Sequence, residues 1–128
     1  MPDPEDRRYT ATHQWARQNP DGSLTVGITD FAQSQLGDVV FVELPPVGKI
    51  VGADEACAMV ESVKSASDVH SPVAGTIIAV NEALADKPES INTSPYDSWF
   101  FKLQPDAAQS HEHLMSAAQY RTLVNQES

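Results

Sequence analysis

The chain is punctuated at short intervals by apolar runs rich in β-branched and aromatic residues: "SLTVGIT", "DVVFVELP", "EACAMVES", "AGTIIAV" and "WFFKLQP". Gly, Pro, Asn and Asp stand between them, so each run ends within a few residues. Many short strands with turns between them point a chain of 128 residues to an all-β sandwich or barrel around one core.

The segments fill in that outline. "YTATHQWARQNPDGSLTVGIT" gives strand, turn and strand, with the turn at Asn19 to Gly22 and with Leu24, Val26 and Ile28 on one face. "TDFAQSQLGD" predicts a short helix: Thr29 or Asp30 caps it, Gln33 follows Asp30 by three as in a capping box, and Gly37 ends it. Pro45-Pro46 stops the strand "DVVFVELP". A turn near Gly52 to Asp54 divides the next two strands, and the following pair breaks at Ser71-Pro72 and near Gly75. "DKPESINTSPYDS" reads as a polar loop. "HEHLMSAAQYRTLV", with Leu114, Ala117 or Ala118, and Arg121 at helical spacing, reads as a C-terminal amphipathic helix.

Charge and composition exclude several function classes. Eighteen acids against eight bases leave a formal charge of −10, which opposes nucleic-acid binding and suits docking on basic or mixed surfaces. No apolar run approaches the length of a membrane helix. "MPDPEDRR" lacks a signal-peptide apolar stretch and carries acids unlike a transit peptide, so it reads as a short solvated tail on a cytoplasmic protein. The lone Cys57, inside "EACAMV", makes no intramolecular disulfide and no Cys-based zinc site, and reads as a buried structural thiol. His111 and His113 are two apart on the expected helix and do not share a face, so no metal is expected there; His70 reads as an exposed strand residue.

Lys64 is the residue of interest. It lies in "AMVESVKSASDVHSPVAG", with Glu61 three before it and Asp68 four after. If the runs on either side pair as a hairpin, Lys64 lies at or beside the turn and offers solvent an amine that can be acylated. The plain alternative is an ordinary solvated turn lysine.

The residues around Lys64 bear on that choice. "VESVKSASD" resembles the lipoyl attachment segment of glycine cleavage system H proteins. "VGITDFAQSQLGDVVFVELPPVG", "HSPVAGTIIAVNEAL" and "INTSPYDSWFFKL" extend the resemblance, from about Tyr9 to Val124. The resemblance implies a mainly β fold, the lipoyl/biotinyl-type β-sandwich (barrel-sandwich hybrid), with a short helix in the N-terminal half and a C-terminal helix. It implies one lipoyl-carrier domain over residues 1–128, with 1–8 a flexible tail, 9–104 the β core and 110–126 the helix. Lipoic acid would be joined to Lys64 by an amide bond. The chain would be a monomeric, non-catalytic carrier. Its arm would take an aminomethyl group from glycine decarboxylase, which uses pyridoxal phosphate, and pass it to a tetrahydrofolate-dependent aminomethyltransferase. Dihydrolipoyl dehydrogenase would reoxidise the arm, and lipoyl-attaching enzymes would load it.

The same resemblance assigns the neighbours. Glu61 matches the acid read by lipoyl-attaching enzymes, or is a plain solvated charge. Gly75, eleven after Lys64, matches a glycine that serves a backbone turn or close packing. Asp68 matches an acid that helps hold the loaded arm in a surface cleft. The family commonly has His-Glu-Trp where this chain reads His13-Gln14-Trp15. Gln14 accepts a hydrogen bond without the charge, and Thr12 adds a hydroxyl, so either arm protection is weaker or Asp68 carries more of it. "SPYDSW" is one residue shorter than the usual loop. A stand-alone relay or store of lipoyl groups would keep "ESVK" and need no cleft. A biotinyl carrier would flank its lysine with methionines, whereas Val63 and Ser65 stand here, and 2-oxoacid dehydrogenase lipoyl domains usually read Asp-Lys.

Overall fold

The computed structural model describes residues 4–106 and 114–127. Along the chain run β1 (Arg8–Tyr9), β2 (Gln14–Gln18), β3 (Leu24–Ile28), α1 (Asp30–Leu36), β4 (Val39–Glu43), β5 (Ile50–Val51), β6 (Ala56–Ser62), β7 (Ala66–His70), β8 (Gly75–Val80), α2 (Glu82–Asp86), α3 (Ser90–Thr93), β9 (Phe101–Pro105) and α4 (Ala117–Glu127). Two antiparallel sheets form. One has the order β1-β2-β3-β9-β8-β5, the other β4-β6-β7. Val26, Ile77 and Leu103 of the larger sheet and Val42, Val60 and Val69 of the smaller one share a single buried cluster. That shared core makes the fold a β-sandwich, as the spacing of strand-like runs predicts.

The larger sheet is covered on its other face too. Tyr9, Trp15, Tyr96, Ala117 and Tyr120 form a second cluster there, with α4 as its lid. Hence β3 is buried throughout: Leu24, Val26 and Ile28 face the main core, while Thr25 and Gly27 face away from it. Gly27 is required by that cover, since a Cβ on it would lie 2.6 Å from Trp15 Cζ2. Trp15 satisfies its indole by donating to the Pro95 carbonyl at 3.1 Å.

Several expectations are corrected. The C-terminal helix begins at Ala117, not at 110. Residues 110–113, including His111 and His113, lie outside the described residues, and Met115 is bridged to Tyr9 as extended backbone. The N-terminal stretch is not all solvated tail. Arg7 sits 4.5 Å over the Trp15 ring and donates to the Tyr96 carbonyl at 2.9 Å, an aromatic seat that exists only once the chain has folded. The polar loop after Asp86 contains α3, whose Ile91 is fully buried. One apolar residue among polar ones carries no period to read. The capping box is also different: Thr29 Oγ1 accepts from the Ala32 N–H at 3.2 Å, but Gln33 donates to the Asp30 carboxylate at 2.8 Å instead of reaching the cap backbone. His70 is half-buried, not exposed, at the end of β7 beside the fully buried Val69.

Candidate functional site

β6 and β7 pair as a hairpin, with Glu61 opposite Ala66, and Lys64 is exposed at its tip. Ser62 builds the turn. Its N–H donates to the Ser65 carbonyl at 2.7 Å, while its hydroxyl accepts from Ser65 N–H at 3.0 Å and Lys64 N–H at 3.3 Å. A short polar side chain that satisfies the turn's own amides removes the need for a longer loop.

The tip is also seated on the segment after α1. Val63 N–H donates to the Asp38 carbonyl at 3.0 Å. Gly37 ends α1 with φ 81°, and a Cβ there would lie 3.4 Å from Lys64 Cε. The positive φ is what calls for glycine here, and the lysine stem lies in ordinary contact distance of it. Asn92 fixes this seat from α3. Its Oδ1 accepts from Val39 N–H at 2.8 Å, and its Nδ2 donates to the Gly37 carbonyl at 2.8 Å and to Gln33 Oε1 at 2.9 Å.

A cleft of about 440 Å³ begins at Ser65, the residue after Lys64. β7 forms one wall, with Asp68 on it; α1 forms the other through Phe31 and Gln35; Thr12 and Gln14 close one end. The structure thus brings Asp68, Gln14 and Thr12 to one cleft and places Lys64 next to its Ser65 end. Glu61 is half-buried on β6, opposite Phe41 and Ala66, and is not part of the lining. Gly75 lies in the other sheet, where a Cβ would meet Gln104 O at 2.3 Å. Without a Cβ, it lets β8 approach β9 closely at that point.

Gln14 is 1% exposed. Its Oε1 accepts from the hydroxyls of Thr10 and Thr12, and its Nε2 donates to the Thr12 carbonyl at 2.9 Å. Both lone pairs of the amide oxygen are therefore engaged within the protein. Of the cleft's expected acceptors, Asp68 alone is exposed and ionisable. Cys57 lies elsewhere, buried, with burial pushing its thiol up to about 11, as suits a structural cysteine.

Three contributors are invisible in the sequence pattern. His13 lines the cleft with φ 72° and bonds the Tyr120 hydroxyl through Nδ1 at 2.7 Å. Tyr120 also meets Thr29 Oγ1 at 2.7 Å, which ties α4 to the cap of α1. Asn92 lies in a stretch that reads as loop. Ser62 was legible in principle, because a serine opening a four-residue turn is a known local motif.

Comparison with known proteins fits this geometry. A family model described as Glycine cleavage H-protein matches residues 7–127. Glycine cleavage system H protein 2 of Pseudomonas aeruginosa is 53% identical over 124 residues, which cover 97% of this chain and 96% of that protein. The glycine cleavage system H protein of Azoarcus sp. strain BH72 is 54% identical over 121 residues, covering 94% of this chain and 95% of the relative. The crystal structure of a glycine cleavage system H protein from Mycobacterium marinum superposes with a TM-score of 0.87 at 43% identity, covering 96% of this chain and 99% of that one. The chain belongs to the glycine cleavage system H-protein family, the lipoyl carriers of the glycine cleavage system.

Proposed function

We propose that Lys64 carries lipoic acid and that the chain works as the non-catalytic carrier of the glycine cleavage system, as a single chain in the bacterial cytoplasm. The observation that carries this reading is the position of Lys64: an exposed amine on a turn pinned by Ser62, its stem beside Gly37, next to an open cleft. When bound, the lipoyl group supplies a disulfide that opens to a dithiol and carries an aminomethyl unit from glycine decarboxylase to the aminomethyltransferase, with dihydrolipoyl dehydrogenase restoring the disulfide.

The rest is done by this chain's own residues. For attachment, the neutral Nζ attacks an activated acyl carbonyl; the C–N bond forms, the activating group leaves with its electron pair, and the nitrogen gives up a proton. The pinned hairpin fixes the origin of the arm, so reach comes from the lysine and acyl chain alone, and tethering keeps the local concentration high at a docked partner. Asp68 offers a carboxylate in the cleft to an amine carried on the arm. Thr12 and Gln14 shape the cleft end, since their polar groups already satisfy one another.

The test is incubation of the purified chain with a lipoate–protein ligase, followed by intact mass and peptide mapping. Label is expected on Lys64 alone and should vanish in Lys64→Arg, which keeps the charge and removes the acylatable primary amine. Label that persists in that variant refutes the assignment. A relay of lipoyl groups is the second reading; the uncharged, internally bonded Gln14 is the observation on its side.

A further inference from the structure

β4 pairs with β6 through a bulge. Val39 lies opposite Ser62 and Phe41 opposite Glu61, so two steps on β4 match one on β6 and Val40 is the extra residue. A regular strand alternates sides; here Val39 and Val42 are buried at 3% while Val40 and Phe41 both face solvent, at 53% and 50%. The bulge has therefore moved a phenylalanine from the core side to the surface. Val63, 71% exposed, stands two residues past Glu61, the partner of Phe41, and so on the same side at the hairpin tip, where its N–H bonds the Asp38 carbonyl. Three large apolar side chains thus form a patch beside Lys64. Contiguous exposed apolar groups, unlike apolar residues scattered singly, mark interaction sites.

The rim of the patch is acidic. The Asp38 carbonyl accepts the Val63 N–H, Glu61 lies opposite Phe41, and Glu43 stands two after Phe41 at the end of β4, with Lys64 the cation at the tip. The complement of this surface is an apolar hollow with a basic rim.

Reach decides which partner fits. Enzymes acting on the far end of an acyl arm work a whole chain length away from the hairpin. An enzyme that makes the acyl–lysine bond must bring its reacting centre to Nζ itself, so its surface covers the tip and its neighbour Val63.

We propose that Val40, Phe41 and Val63 form the docking platform for the enzyme that acylates Lys64, a partner presenting an apolar hollow rimmed by basic residues beside its active site. This rests on the reading of Lys64 as the acylated residue.

The test is the kinetics of acylation of the full chain by a purified bacterial ATP-dependent lipoate–protein ligase, with octanoate, ATP and Mg²⁺, read by intact mass. In Phe41→Ser/Val63→Ser the KM for the carrier should rise about tenfold or more, with kcat within about twofold, as for loss of a central contact pair. Glu43→Lys should raise KM at low salt, and added salt should shrink the difference. An unchanged KM in both variants, with wild type acylated, overturns the platform and leaves the Lys64 assignment standing. Failure of wild type to be acylated overturns the Lys64 assignment instead. Chain already acylated with lipoate is then reduced by dihydrolipoyl dehydrogenase and NADH; the double variant should match wild type within about twofold. A parallel loss there overturns the assignment to the attaching enzyme and makes the patch a surface for every partner. A concentration-dependent dimer in light scattering that the double variant loses gives the patch to a second copy and also overturns the proposal.

Discussion

Replacing Asn92 by alanine tests whether the hairpin tip is seated from a distance. Asn92 is remote from Lys64 in sequence, yet its amide closes three hydrogen bonds around Gly37 and Val39. Gln33 Oε1 lies on a partly exposed helix face and rehydrates when its partner is lost. The Val39 N–H does not, because Val39 is buried, and the Gly37 carbonyl is partly sheltered. One buried donor left unsatisfied costs about 1–3 kcal/mol, and the part-sheltered carbonyl adds a fraction, for a total of about 2–3 kcal/mol. At about 3–5 °C per kcal/mol for a chain of this size, the melting temperature should fall by about 10 °C. The loss should also be local. Amide hydrogen exchange at Val39 and Val63 should speed up more than exchange in β3, since Asp38 bonds Val63 from the loosened segment. Asn92→Asp should recover little, because its second oxygen would face the Gly37 carbonyl instead of donating to it. A melting temperature within about 2 °C of wild type, or uniform exchange rates, would refute this account of the seat.

Other outcomes follow from the same contacts. Gly75→Ala pushes a Cβ into the Gln104 carbonyl, so β8 and β9 must part; a loss of about 2–4 kcal/mol in denaturant unfolding is expected, and a change under about 0.5 kcal/mol would contradict the packing role. The Cys57 thiol keeps its proton in the fold up to about 11, so its stabilising contribution is present below pH 9 and lost as pH rises toward 11. That loss should be on the order of 1 kcal/mol after allowance for partial solvent screening, should be absent in Cys57→Ala once its packing cost is subtracted, and is read by chemical denaturation at pH 8, 9.5 and 11. Asp68→Asn should speed loss of a carried aminomethyl group, followed as formaldehyde release, whereas Gln14→Glu should change it less because the two threonine hydroxyls hold that oxygen. Equal decay in wild type and Asp68→Asn would favour the relay reading.

The strand content and the turn at Lys64 were legible because each rests on local chemistry: β-branched runs and a short polar connection. Gly75 was singled out by family resemblance alone, and the carbonyl it meets, that of Gln104, lies far along the chain. What was not legible depends on pairs distant in sequence. Gln14 carries the same donors and acceptors wherever it sits, and only the fold shows that Thr10 and Thr12 take its oxygen. Asn92 sits in a stretch without period, and its partners lie more than fifty residues earlier. The outward turn of Phe41 comes from a bulge, which β-propensity does not register. The hydroxyl of Tyr120 lies between His13 and Thr29, a contact that joins the two ends of the chain and leaves no mark in helical spacing.

The strand order carries a consequence for how the chain is born. β9 lies between β3 and β8, with Leu103 paired to Leu24 on one side and to Ile77 on the other. It is also the last of the described strands to leave the ribosome. Until it emerges, β1–β3 and β8–β5 are two separate fragments with open edges, and the contacts that join them span most of the chain. The lysine hairpin needs none of this: β4, β6 and β7 pair among near neighbours in sequence. The strands that carry Lys64 can therefore pair while the larger sheet still lacks its middle strand, and the exposed edges of β3 and β8 are then the surfaces most open to mispairing with other chains.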